Sequence, residues 1–154
     1  MIFEIEIKTK KGFSDPHGIH TVSDIEGIGI NGIKTAEYIA VYRIAGDITL
    51  KQAEIIASEL LSDKITEDFC IKEYKTPEQK KIEENSIEVW FKSGVTDTVS
   101  ESVVKAIKDL GIDEEVVVKT GKKYRLKGEL NSNKLKKIAT GLLANTLIQE
   151  YLIK

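Results

Sequence analysis

Sliding the chain by 82 residues lays residues 5–72 over residues 87–154 without a gap, and 18 of the 68 pairs are identical. IEIKTKKGFSD falls on IEVWFKSGVTD, YRIAGDI on YRLKGEL, IASELL on IATGLL and EDFCIK on QEYLIK. A repeat of this length means that one supersecondary plan is used twice. In a chain of 154 residues each copy alone is small and marginal, because a small domain buries little of its surface. The copies are therefore expected to support one another as a covalent pseudo-dimer. Residues 1–74 form the first copy and 86–154 the second. The charged segment 75–85 reads as a linker, polar and with one of the two prolines. Fully extended it reaches about 36 Å, enough for the copies to pack side by side.

Each copy opens with alternation. Phe3, Ile5 and Ile7 share one side of a strand against Glu4, Glu6 and Lys8, and Ile87, Val89 and Phe91 share one side against Glu88, Trp90 and Lys92. Period two with one apolar face predicts a half-buried strand. Asp15 before Pro16 predicts a helix N-cap with proline at the first helical position, and Asp97 is its counterpart. Gly29 and Gly111 predict the ends of these helices. In the second copy, EEVVVKTGKKYRLKG reads as two strands hinged near Gly121; the first copy's GIKTAEYIAVYRIAG is open between one long strand and a bulged pair. Thr49 and Gln52 predict a capping box for a second helix, whose buried stripe is Ile56, Ala57, Leu60 and Leu61, matched by Ile138, Ala139, Leu142 and Leu143. A last strand closes each copy. The order β-α-β-β-α-β predicts an α+β, ferredoxin-like repeat, with two helices on one face of an antiparallel sheet.

That arrangement leaves an open face on each sheet. Alternation puts Arg125 on it with Lys123 and Lys127, and puts Arg43 on it beside Ile39 and Val41. Trp90 points the same way from the polar side of its own strand. A strand apolar on both sides is ordinarily covered on both sides. Ile39, Val41, Arg43, Trp90 and Arg125 are therefore the interface candidates, between copies or with another chain. The two arginines stand at matching positions among 21 lysines.

Chemistry is scarcer. A net charge of -2 with mixed signs gives no electrostatic footprint for nucleic acid or an anionic membrane. No run approaches the roughly 18 apolar residues of a membrane span. The start has no signal-peptide pattern, and one cysteine excludes an internal disulfide, so a reducing cytoplasm is the expected compartment. His17 and His20 share a helical face, but their counterparts are Val99 and Ser102, and they read as partly exposed side chains rather than a metal site. Cys70 matches Leu152, which favours a small apolar role over a nucleophile. GIGING, residues 27–32, follows a helix rather than a strand, which suits a cap and turn and not a phosphate loop. Glu83, Glu84, Glu114 and Glu115 read as solvated carboxylates. No nucleophile, base and orienting group come together, so no catalytic residue and no bound cofactor are expected.

SGVTDTVSESVVKAIKDLGI, VKTGKKYRLKG and LLANTLIQEYLI resemble the PurS family, the small subunit of phosphoribosylformylglycinamidine synthase. They resemble even more the PurS-like N-terminal region of that enzyme's large PurL chain. The pattern is a DPxG turn, a GK before an aromatic strand, and LLxNxxIxxY at the end. The first copy supplies Asp15, Pro16 and Gly18. The second supplies Gly121, Lys122 and Tyr124, then Leu142, Leu143, Asn145, Ile148 and Tyr151. Each copy keeps half the pattern: the first lacks GK and has Asp63 in place of the asparagine, and the second has DTVS in place of DPxG. The resemblance implies a non-catalytic part that joins the PurQ glutaminase to the ATP-dependent PurL synthetase for ammonia transfer in purine synthesis. It implies that ATP, magnesium and glutamine serve the assembled enzyme rather than this chain. A second reading is an ACT-type small-molecule sensor, which shares the β-α-β-β-α-β order and binds amino acids at a paired seam; KKGFSD and KSGVTD are the turns that would serve it. A nucleic-acid module on the same fold is disfavoured by the acidic balance.

Overall fold

The computed structural model describes residues 1–154. The strands are β1 (Ile2–Thr9), β2 (Ile33–Gly46), β3 (Glu67–Tyr74), β4 (Ser86–Phe91), β5 (Val116–Gly128) and β6 (Gln149–Ile153). The helices are α1 (Pro16–Gly27), α2 (Leu50–Ile55), α3 (Thr98–Asp109) and α4 (Ser132–Ile138). The class is α+β, and both copies follow the same order of elements. The strand order is β3-β1-β2-β5-β4-β6. β1 pairs antiparallel with β3, setting Ile5 opposite Ile71, and β4 pairs antiparallel with β6, setting Val89 opposite Tyr151.

The caps form where the sequence places them. Asp15 accepts a hydrogen bond from Gly18 N at 3.0 Å and Asp97 accepts one from Ser100 N at 3.0 Å. Each helix is then closed by a glycine in left-handed backbone, Gly29 at φ 88° and Gly111 at φ 91°. Beyond them Ile30 N reaches back to the Ile25 carbonyl and Ile112 N to the Ile107 carbonyl, satisfying carbonyls at the helix end. The Thr49–Gln52 capping box is complete in both directions. α2 and α4 do not continue as plain α-helices. Each widens into a π-helical turn, Ile56–Leu61 and Ala139–Leu143, closed by bonds from Ser62 N to the Ala57 carbonyl and from Ala144 N to the Ala139 carbonyl.

The expected hinge at Gly121 is absent. β5 is one strand of 13 residues, and β2 is one of 14. Gly121 has ordinary negative φ and is not among the glycines in left-handed backbone. It extends like its neighbours. Gly46 lies against Glu115 and Val116, and Gly128 against Gly32 and Ile33, so β2 and β5 run antiparallel along their length.

These long strands redistribute the copies. One compact unit comprises Met1–Phe13, Ala40–Lys80 and Thr96–Gly121; the other comprises Ser14–Ile39, Lys81–Val95 and Lys122–Lys154. Each unit therefore combines chain from both copies. The first holds β1, α2 and β3 of the first copy with α3 of the second. Its core joins Phe3, Ile5, Ile44 and Ile56 to Val103 and Ile107. The second holds β4, α4 and β6 of the second copy with α1 of the first. Its core joins Ile87, Val89, Leu135 and Ile138 to Ile25 and Ile33. The physical reason is length. A strand of 14 residues advances about 48 Å at roughly 3.4 Å per residue, far more than a hairpin inside one small domain needs. The helix before the strand is consequently left in one unit and the helix after it in the other.

Candidate functional site

In the first unit, β1 sends Phe3, Ile5 and Ile7 into the helix-side core and turns Glu4 and Glu6 to the opposite face. That face is not open to water. Glu4 is 1% exposed and Glu6 7%. A buried carboxylate is tolerable only when it is paired and hydrogen-bonded. Glu4 has both: its Oε1 takes Lys80 Nζ at 2.9 Å, and its Oε2 takes Arg43 Nη2 at 3.2 Å and Nε at 3.3 Å. Lys72 Nζ reaches Glu6 at 3.3 Å. Beside these groups lies a cavity of about 320 Å³, lined by Arg43, Lys80 and Lys119 among apolar neighbours.

The corresponding face of the second unit is organised around Arg125. Its Nε donates to Glu83 Oε1 at 2.7 Å and its Nη2 to Glu83 Oε2 at 3.1 Å, a two-pronged fork. Nη1 donates to Glu37 of the first copy. Lys123, itself 1% exposed, places Nζ 2.6 Å from Glu83 Oε2. The hydrogen bond from Arg125, aided by Lys123, holds the Glu83 carboxyl at a pKa of about 2. In return Glu83 raises the pKa of Arg125. Trp90 is buried and donates from its indole N–H to Glu88 at 3.0 Å. The segment between the copies thus contributes specific charges. Lys80 meets Glu4, Glu83 meets Arg125 and Lys123, and the short 3-10 turn Pro77–Gln79 carries its own capping box. The expectation that Glu83 is solvated is overturned: two cations from β5 hold it.

Among the interface candidates, Ile39 and Val41 are each 1% exposed and lie in neither helix-side cluster. This chain buries them, with Trp90, without any partner. Arg43 and Arg125 are half-buried in the ion pairs just described. Cys70 departs from its expected apolar role, because it stands exposed on β3 opposite Glu6.

A second feature of the second unit went unread in the sequence. The imidazole of His17 stacks on Tyr38 with ring centres 3.7 Å apart and planes 5° apart. Tyr124 meets the same imidazole edge-on, its hydroxyl 3.5 Å from Nε2. Asp15 sets up this cluster. While one oxygen caps the helix, the other accepts the backbone N–H of Tyr38 at 3.1 Å, tying α1 to β2. Gly18 lets the helix come close, since a Cβ there would stand 2.2 Å from the Ala36 carbonyl oxygen. In the other unit Asp97 accepts from Thr120 N at 3.1 Å, and the Ser100 hydroxyl donates to the Val118 carbonyl, the counterpart of Ala36. The DPxG turn is therefore a helix-to-strand clamp: aspartate bridges, proline starts the helix and glycine makes room. A shallow groove beside the clamp is lined by His17, His20, Asp24, Lys122 and Tyr124. Burial, then Lys122, lowers the pKa of His17; burial, then Tyr38, pushes Tyr124 up to about 12. At neutral pH the pair is an uncharged imidazole beside a protonated phenol. No group of three or more His, Cys, Asp or Glu is placed to hold a metal ion. No helix is long and apolar enough to cross a membrane.

The signal for the aromatic cluster was dispersed. His17, Tyr38 and Tyr124 come from three distant points of the chain, and only the fold brings them together.

The PurS family, described as phosphoribosylformylglycinamidine (FGAM) synthase, matches residues 84–154. No curated protein matches the chain. The matched region is the second copy, with the GK inside β5 and the LLxNxxIxxY ending. Residues 84–154 belong to the PurS family, which links the chain to FGAM synthase and to purine biosynthesis.

Proposed function

We propose that this chain is a non-catalytic structural part of phosphoribosylformylglycinamidine synthase that joins a PurQ glutaminase to a PurL synthetase so that ammonia passes between them. The family match over residues 84–154 carries this reading. The interleaved units support it, since two copies in one chain supply a ready-made pair. Of the interface candidates, Ile39, Val41 and Trp90 are buried by the chain itself, Arg125 grips Glu37 of the other copy, and Arg43 pairs with Glu4 of its own copy. Partner contacts then belong to surfaces still exposed. Ile65 and Leu147, at matching positions, are 74% and 85% exposed. Each follows an acceptor side chain that fixes its loop, Asp63 for Ile65 N and Asn145 for Leu147 N. ATP, magnesium and glutamine are used by the partners.

Size-exclusion chromatography of the chain mixed with the synthetase and glutaminase, in the presence of glutamine and ADP, tests the proposal. Co-elution of all three is expected, and the double variant Ile65→Asp/Leu147→Asp is expected to weaken it while leaving the melting temperature within a few degrees, as surface changes generally do. Failure to bind either subunit, together with tight amino-acid binding in calorimetry, would instead support the ACT-type sensor.

A further inference from the structure

β3 ends its sheet: β1 lies on one side of it and no strand on the other. Lys10 N donates to the Thr66 carbonyl at 2.8 Å, in the register that pairs β1 with β3. Hydrogen-bonded and non-bonded pairs alternate along an antiparallel ladder, so Asp68, Cys70 and Lys72 turn their backbone groups toward β1. Glu67, Phe69, Ile71 and Glu73 turn theirs outward. A row of outward N–H and C=O groups is a template for another strand.

The helix side of this edge is apolar. Leu50, Ile55, Phe69 and Ile71 line a groove between α2 and β3, and Leu50, Ile55 and Phe69 are 46%, 40% and 39% exposed. The fold does not require this. Beside the other edge strand, β6, the counterparts of Leu50 and Ile55 are Ser132 and Lys137. β6 is also shorter, 5 residues against 8. The long edge with an apolar shelf is a property of β3 alone.

The residues of β3 favour one occupant, β3 of a second molecule. Antiparallel pairing centred on Cys70 sets Phe69 opposite Ile71 and Asp68 opposite Lys72, each twice. Phe69 and Ile71 then meet as hydrogen-bonded pairs through their outward groups. Asp68 and Lys72 fall at non-bonded positions, where side chains stand closer and opposite charges attract. Lys72 keeps its contact with Glu6 at 3.3 Å; the exposed Asp68 of the second molecule extends that pair into an Asp-Lys-Glu row. Neighbouring registers lose the match. Centred on Ile71, Phe69 meets Glu73 and Cys70 meets Lys72; centred on Phe69, Asp68 meets Cys70 and Glu67 meets Ile71. A slip of one residue puts the two faces out of step. In the register centred on Cys70 the like-charged pair, Glu67 with Glu73, falls at the ends, where Glu67 already accepts Asp63 N at 2.8 Å.

We propose that two molecules of this chain associate edge to edge through β3, about a twofold axis at Cys70. The contact is isologous. It continues the sheet from one molecule to the next and covers Leu50, Ile55 and Phe69. It is separate from any joining of glutaminase and synthetase.

Sedimentation of the full chain over a range of concentrations, under reducing conditions, tests the proposal. A reversible monomer–dimer equilibrium is expected. Asp68→Lys sets lysine against Lys72 at two places and is expected to weaken association by roughly tenfold or more. Leu50→Ser/Ile55→Lys, which gives the first copy the residues of the second, is expected to weaken it as well. These positions are exposed, so the variants are expected to fold, with melting temperatures within a few degrees of the native chain. Asp24→Lys, the same charge change away from the edge, is expected to leave association unchanged. Opposed Cys70 residues would stand about 4.5 Å apart at Cα, within the disulfide range of about 4.4–6.8 Å. Copper phenanthroline with oxygen is therefore expected to give a Cys70-linked dimer, more slowly in Asp68→Lys. A monomer at every concentration, a dimer that Asp68→Lys does not weaken, or a dimer that oxidation does not link through Cys70 would overturn the proposal.

Discussion

A methyl group on Gly18 would stand 2.2 Å from the Ala36 carbonyl oxygen and 2.7 Å from a carboxylate oxygen of Asp15. Both neighbours are committed, one to the strand and the other to the cap and to Tyr38 N. The helix must therefore back away or the clamp must open. Overpacking of this kind typically costs about 1–3 kcal/mol, and Gly18→Ala is expected to lower the melting temperature and to free the stacked His17. A calorimetric melt read beside the His17 ring signals in NMR checks it; an unchanged melt with the ring signals in place would show that α1 shifts without cost. The same residue marks what could be read from sequence at this scale. Asp15, Pro16 and Gly29 declare a helix start and stop by local chemistry. The need for glycine at position 18 is set by a carbonyl 18 residues away, and no local rule sees it. Glu83 illustrates the same limit. Its partner Arg125 lies 42 residues on, so local pattern assigned the acid to solvent.

Among the elements, the segment joining the copies differs most from the tether its composition suggests. Glu83 makes the difference measurable. Its carboxyl has a pKa of about 2 in the fold against an ordinary 4.5. A depressed folded value means that the contribution is fully present above the ordinary value and is lost as pH falls toward 2. Glu83→Gln removes it at neutral pH and removes progressively less as pH falls toward 2, where about half of the native carboxyl is itself protonated. The gap in melting temperature between native chain and variant is therefore expected to be widest above pH 4.5 and to narrow steadily below it. A gap that stays constant with pH would mean that the ion pairs with Arg125 and Lys123 add no stability. The helices and strands were largely legible, because period, cap and turn residues are local signals. Two features were not. The i, i+4 stripe of Ile56, Ala57, Leu60 and Leu61 is the same for an α-helix and one that loosens into a π-turn. Gly121 reads as a break, yet a glycine at negative φ continues a strand.

For the whole molecule, the interleaving of the copies has a direct test. The second copy on its own, residues 84–154, lacks α1 and the part of β2 that brings Ile25, Ile30 and Ile33 to the second core. Its own helix α3 would have no β1 to pack against, leaving Val103 and Ile107 uncovered. Such a fragment is expected to exist as a dimer, in which each chain supplies what the other lacks, or else as an unfolded monomer. Light scattering with circular dichroism distinguishes these, and a stable, folded monomer would contradict the assignment of α1 and α3 to units built on the other copy's strands. The exchange of helices was not visible in the sequence. Amphipathic spacing shows that a helix has a buried face but not which sheet it covers; that choice depends on how far the next strand carries the chain.

Glu37 and Lys119 occupy equivalent positions with opposite charge. Two identical chains could not do this: a glutamate would appear twice, or a lysine twice. Once a single chain carries both halves, the two arginines can be held differently, Arg125 by Glu83 and Glu37 and Arg43 by Glu4. Fusion thereby frees a symmetric pair to diverge, each side building its own set of ion pairs.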